Sequence, residues 1–140
     1  MLKLPTQLFE SIKLEGEKAF PHEGCGVILG RLKENDREAI ELFAAKNSFD
    51  ESEQYHRFLI TPDDYRLAEE RARQHKLEIL GFYHSHPDAP SVASKYDLDH
   101  AFPWFSYLIV SIMKGKYHDH HSWVMENDRS KFNQEEVIIG

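Results

Sequence analysis

The run Tyr107-Leu-Ile-Val-Ser-Ile-Met113 constrains the fold of this chain more than any other feature. Apolar residues follow one another here without alternation, as in a strand covered on both faces. A sheet with one wet face would instead show a polar residue at every second position. Helices and strands interleave along the chain, so it reads as an α/β architecture with a mixed sheet. The flanking segments agree. Gln7–Ala19 sets Leu8, Ile12 and then Glu15 or Ala19 at helical spacing, with Phe9 close by, and Pro21 ends the pattern. Gly26–Gly30 is a short apolar run closed by glycine, and Glu41–Asn47 and Arg57–Ile60 read as further strands. In Thr61-Pro62-Asp63-Asp64, the threonine suits an N-cap that accepts from the Asp64 N–H. The proline fits the first turn, and the aspartates suit the positive end of the helix dipole. The pattern predicts a helix through Tyr65, Ala68 and Ala72 to His75 or Lys76, followed by a strand over Leu77–Tyr83. With Arg57–Ile60, that makes a strand–helix–strand unit of crossover length. His121–Glu126 and Glu136–Ile139 are expected to add edge strands.

Composition narrows the function. No repeat, low-complexity tract or Pro/Gly/Ser-rich linker divides the 140 residues, so residues 1–140 are read as a single domain. A hydrophobic share of 41% with 29% charged residues supports a packed core rather than disorder. The formal net charge of −7 argues against nucleic acid as a partner, because phosphate contacts dominate such binding. There is no run of about 18 apolar residues to cross a membrane. The start MLKLPTQLFESIKLEGEK lacks the apolar core of a signal peptide, so a cytoplasmic protein is expected. The single cysteine, Cys25, excludes an internal disulfide and a multi-cysteine zinc site.

The chemistry gathers around His84-Ser85-His86-Pro87 and Asp97. Side chains two apart on extended chain point to one face, so His84 and His86 can converge on one ion. Residues 87–96, with Pro87 and Pro90, give room for a loop and a helix start that returns Asp97 to the same point. Two imidazoles and a carboxylate suit a tetrahedral zinc site with the fourth position open, the catalytic type. The plainer alternative is two histidines ending a strand and an aspartate capping a helix. Ser94, one helical turn before Asp97, adds a hydroxyl on the same side.

His84-Ser-His-Pro followed by Ser94-x-x-Asp97 resembles the motif of the JAMM/MPN+ metalloproteases. The segment Pro21-His-Glu-Gly-Cys-Gly-Val-Ile-Leu-Gly30 is similar to that family's upstream glutamate and glycine-rich strand, with Glu23 in the glutamate's place. The segments Phe58–Pro87 and Tyr107–Ser111 also resemble the small stand-alone prokaryotic members. The resemblance implies a curved sheet flanked by helices, similar to the cytidine deaminase fold. It implies one Zn2+ per chain held by His84, His86 and Asp97, with Glu23 as acid/base and Ser94 stabilising the developing oxyanion. Implied substrates are ubiquitin-like or sulfur-carrier proteins of the ThiS/MoaD kind, cut at a C-terminal Gly-Gly tail. The oligomeric state stays open.

The rival readings are an inactive MPN-type scaffold, which would usually have lost ligands that this chain keeps, and a nucleotide deaminase. A deaminase needs H-x-E with P-C-x-x-C, which one cysteine excludes. Cys25 is expected to be buried, although its place two residues after Glu23 brings it near the site. His118, His120 and His121 are read as a polar surface turn, with a second metal as the alternative. Ser85 should point away from the metal into a structural hydrogen bond.

Overall fold

The computed structural model describes residues 1–45 and 60–140. Its elements are β1 (Leu2–Leu4), α1 (Thr6–Ala19), β2 (Cys25–Lys33), β3 (Asp36–Ala45), α2 (Pro62–Gln74), β4 (Glu78–Pro87), α3 (Lys95–His100), β5 (Ser106–Met113), β6 (Lys116–Met125), β7 (Phe132–Glu135) and β8 (Val137–Ile139). The eight described strands form one mixed sheet in the order β7-β6-β5-β4-β2-β3-β1-β8. Its two edge strands, β7 and β8, follow each other in the chain with only Glu136 between them. The sheet is therefore curled until it nearly closes, with the Glu136 carbonyl accepting from the Leu2 N–H at 2.9 Å.

β4 and β5 sit at the centre and run parallel, joined by a crossover through α3; β4 and β2 run antiparallel. Residues on β2, β4 and β5 alternate between two cores. Ile28, Leu80, Tyr83, Leu108, Val110 and Ile112 face α1, where they meet Phe9 and Ile12. Val27, Leu29, Ile79, Phe82 and Tyr107 face α2, where they meet Ala68 and Ala72. Each fully buried leucine or isoleucine contributes about 1.5–3 kcal/mol. β4 and β5 approach closely at Gly81, where a Cβ would lie 2.0 Å from the Ser106 carbonyl oxygen, so only glycine fits there.

The local signals hold where they rest on local hydrogen bonds. Thr61 Oγ1 accepts from the Asp64 N–H at 3.0 Å and Pro62 opens α2. The helix ends at Gln74, before the expected His75 or Lys76. Lys76 is left-handed (φ 58°), and the Leu77 N–H reaches back to the Ala72 carbonyl at 2.7 Å. The apolar stripe of α1 is Phe9–Ile12–Gly16 rather than Leu8–Ile12–Glu15. Gly16 is there because a Cβ would meet Ile112 and Ser85 at 3.0–3.1 Å. The expected strand Arg57–Ile60 falls largely outside the described residues, as does the end of Glu41–Asn47.

Three differences matter for the site. β4 does not stop at Tyr83: it keeps pairing with β5 through His84, Ser85, His86 and Pro87. His118, His120 and His121 are not in a turn but on β6, whose hairpin with β5 turns at Lys114 and Gly115, both at positive φ. Finally, β1, β7 and the parallel pairing of β8 with β1 close the sheet where the sequence shows no period to reveal them.

Candidate metal centre

His84 and His86 continue the face of Phe82, toward α2 and α3, because strand residues alternate. α3 carries Asp97 to them. His84 Nε2 lies 3.1 Å from His86 Nε2 and 3.3 Å from Asp97 Oδ1, and His86 Nε2 lies 3.2 Å from Asp97 Oδ2. All three side chains are buried, His84 with 1% of its surface exposed. Glu23 arrives from the segment before β2, which runs antiparallel to β4. A carboxylate oxygen of Glu23 and one nitrogen each of His84 and His86 lie within 4.8 Å of one another.

The donor set fits a divalent cation. A four-coordinate ion with bonds of about 2.0–2.1 Å holds its ligands about 3.3–3.4 Å apart, close to the separations found here. The tautomer also fits. A carbonyl only accepts, so the 2.9 Å contact from His86 Nδ1 to the Pro90 oxygen puts the ring proton on Nδ1 and leaves the Nε2 lone pair facing the site. Burial lowers the His84 pKa, against the pull of Asp97. Burial alone would raise Asp97, but His84 first, then His86 and the Ser94 N–H, hold its carboxyl well below the usual carboxylate range. A bound cation needs the imidazole nitrogens that face it unprotonated and the carboxylate ionised.

Ser94 is the N-cap of α3: its Oγ accepts from the Asp97 N–H at 3.1 Å, while Asp97 Oδ2 accepts from the Ser94 N–H at 2.8 Å. This capping box satisfies two orphan donors and fixes Asp97 toward β4. The plainer reading of Asp97 as a helix cap is therefore met, and the same side chain faces His84 and His86. The Ser94 hydroxyl proton remains free to be donated.

Outer partners that the sequence did not reveal hold the loop between the ligands. The Ala89 carbonyl accepts from Ser111 Oγ at 2.6 Å and the Ser91 carbonyl from Trp123 Nε1 at 3.0 Å. His121 Nδ1 lies 2.7 Å from Ser91 Oγ, and His120 packs against the Phe9 ring. Two of the β6 histidines thus pack in the fold, and none joins the group that could hold a metal among the described residues. Trp123→Phe keeps the ring but loses the donor that straps the loop presenting Pro90 to His86. Its affinity for a divalent cation, measured by chelator competition, is expected to fall about 10-fold, at the low end for an outer partner. Unchanged affinity would refute the strap.

Cys25 is buried opposite His84 across the β2–β4 ladder, and its thiol is pushed up to about 12, first by burial and then by Asp64 and Glu23. It is no nucleophile. A cavity of about 730 Å³ opens beside His84 and Asp97, walled largely by Tyr65, Phe82, Phe102, Phe105 and Tyr107. No helix among the described residues is long and apolar enough to cross a membrane.

Known proteins share this fold. The solution structure of a protein from Desulfitobacterium hafniense superposes with a TM-score of 0.87 at 29% identity, covering 100% of this chain and 93% of that one. The crystal structure of a JAB1/MPN domain protein from Archaeoglobus fulgidus shares the fold, with a TM-score of 0.60 at 17% identity over 100% of this chain and 97% of that one. A desampylase of Pyrococcus furiosus is 27% identical over 82 residues, which is 59% of this chain and only 56% of that protein's length. The family model for prokaryotic homologs of the JAB domain matches residues 5–126. With that match over most of its length, and with the curved sheet of JAB/MPN domains, the chain belongs to the prokaryotic JAB family.

Proposed function

We propose that residues 1–140 act as one zinc-dependent peptidase domain that hydrolyses a peptide or isopeptide bond at the C-terminal Gly-Gly tail of a ubiquitin-like or sulfur-carrier protein. The observation that carries the reading is the convergence of His84, His86 and Asp97 at 3.1–3.3 Å with the Glu23 carboxylate beside them. Membership of the JAB family and the relative named desampylase support a substrate of the ubiquitin-like class.

In this reading His84, His86 and Asp97 hold one zinc ion. Zinc bound there supplies polarisation of the substrate carbonyl and a more acidic water. Glu23 takes the proton from the attacking water and hands it to the leaving amine, which a carboxylate at this position suits. Ser94 donates a hydrogen bond from its hydroxyl to the carbonyl oxygen as negative charge develops there; one such donor is worth on the order of 3 kcal/mol. The apolar cavity beside His84 and Asp97 gives the substrate chain a place to lie.

The test is to incubate the zinc-loaded protein with ubiquitin-like and sulfur-carrier adducts and weigh the products. Cleavage is expected directly after the terminal glycine of the carrier. Cuts confined to unrelated internal sites would point to a general peptidase, and no cut by fully loaded protein would point to a scaffold.

A further inference from the structure

The residue between the two candidate histidine ligands faces away from them, and its surroundings explain why a hydroxyl stands there. Ser85 is buried, 2% exposed, on the face of β4 that meets α1. A Cβ on Gly16 of α1 would lie 3.1 Å from the Ser85 Cβ. The β2–β4 ladder begins with Cys25 paired to His84, and just before it Gly24 meets Ser85, with Glu23 next to it in the chain. The Ser85 N–H donates to the Gly24 carbonyl at 2.9 Å. In a regular antiparallel pair the Gly24 N–H would return a bond to the Ser85 carbonyl. Here it donates instead to the Ser85 side chain, Oγ, at 2.8 Å. A side chain thus replaces a backbone acceptor at the point where the chain leaves β2, one residue from Glu23.

We propose that Ser85 is the positioning residue for Glu23: its hydroxyl fixes the Gly24 amide and so locks the acid/base carboxylate to the strand that carries His84 and His86. The inference rests on the reading of Glu23 as acid/base. Ser85 touches neither ion nor substrate in this arrangement. Its effect passes through the backbone of a single residue, across two segments 61 positions apart in the chain. Without the hydroxyl, the Gly24 N–H loses its acceptor, and the backbone beside Glu23 loses a bond to β4. Misplacement of a catalytic group by about 1 Å costs about 100-fold in rate, so the lock is kinetically worth keeping.

The experiment compares Ser85→Ala and Ser85→Thr, each in the wild-type and in the Glu23→Gln background, all loaded with zinc. The substrate is whichever carrier adduct the wild-type protein cleaves. Ser85→Ala is expected to keep one zinc per chain and its KM, to lose about 10–100-fold in kcat, and to speed hydrogen exchange at the Gly24 amide at least 10-fold. Ser85→Thr, which keeps the hydroxyl, should restore most of kcat and the slow exchange. In the Glu23→Gln background, Ser85→Ala should cost nothing further, because the group it positions is already gone. An equal loss in both backgrounds, or an unchanged kcat, would overturn the proposal in favour of a purely structural serine. Exchange at Gly24 in the wild-type protein needs no variant to fold and no substrate; exchange as fast as an open loop would also overturn it. A wild-type rate for Glu23→Gln alone would overturn the acid/base reading instead, a result distinct from all of these.

Discussion

Glu23→Gln is expected to leave the protein folded and its metal stoichiometry unchanged while lowering turnover by about 10²–10⁴, the usual worth of a positioned acid or base. The two carboxylates of the site should fail in different ways. Asp97 contacts both imidazoles at 3.2–3.3 Å, whereas Glu23 shares a wider ring of donors, within 4.8 Å. Glutamine matches glutamate in shape and keeps one carbonyl acceptor, so the buried pocket around Glu23, 4% exposed, stays filled. What it loses is the basic oxygen that takes and returns a proton. Metal analysis, circular dichroism and kcat on a cleaved adduct check the three parts of this expectation. A wild-type rate would end the mechanism drawn here, and loss of metal would make Glu23 a ligand.

The second large effect is on metal-linked stability. Zinc binding to the folded state should raise stability by about 2.7 kcal/mol at a free concentration 100-fold above Kd. For a domain of this size, that is a rise in Tm of roughly 10 °C. Asp97→Asn should abolish the rise. Asparagine keeps an oxygen to accept the Ser94 N–H, so the capping box and α3 survive, but the charge that faces His84 and His86 is gone. The metal-free variant should therefore melt within a few degrees of the metal-free wild type, and only the metal-induced shift should disappear. Differential scanning calorimetry with and without zinc reads both. An undiminished shift in Asp97→Asn would place the ion elsewhere.

These expectations were partly legible in the residues alone because they depend on local geometry. Strand alternation puts His84 and His86 on one face wherever the strand goes, and the hydrogen bonds of a helix start join Ser94 to Asp97 across three residues. Thr61-Pro62-Asp63-Asp64 opened α2 as expected for the same reason. The continuous apolar run at Tyr107–Met113 became β5, flanked by β4 and β6 and buried on both faces.

Other features had no local signature. The three-residue strand β1 carries too few positions to show a period, and it exists because it pairs with β3 on one side and β8 on the other; β8 itself was expected as an edge strand, but not its parallel pairing with β1. The histidines of β6 read as a polar turn because His118 is exposed and His120 and His121 are only half-buried; the contacts of His120 with Phe9 and of His121 with Ser91 come from elements distant in the chain.

What the sequence by itself determined is the set of candidate ligands and the two local frames, strand and capped helix, that aim them. Only the tertiary structure decided how those frames meet. The pairing of β2 with β4 brings Glu23 beside His84 and His86, and Ser111 and Trp123 strap the loop whose Pro90 carbonyl selects the His86 tautomer. The reason is physical. Side-chain direction within an element follows from backbone dihedrals a few residues long, whereas the meeting of two elements is fixed by the register of hydrogen bonds and the packing of cores that neither element contains alone.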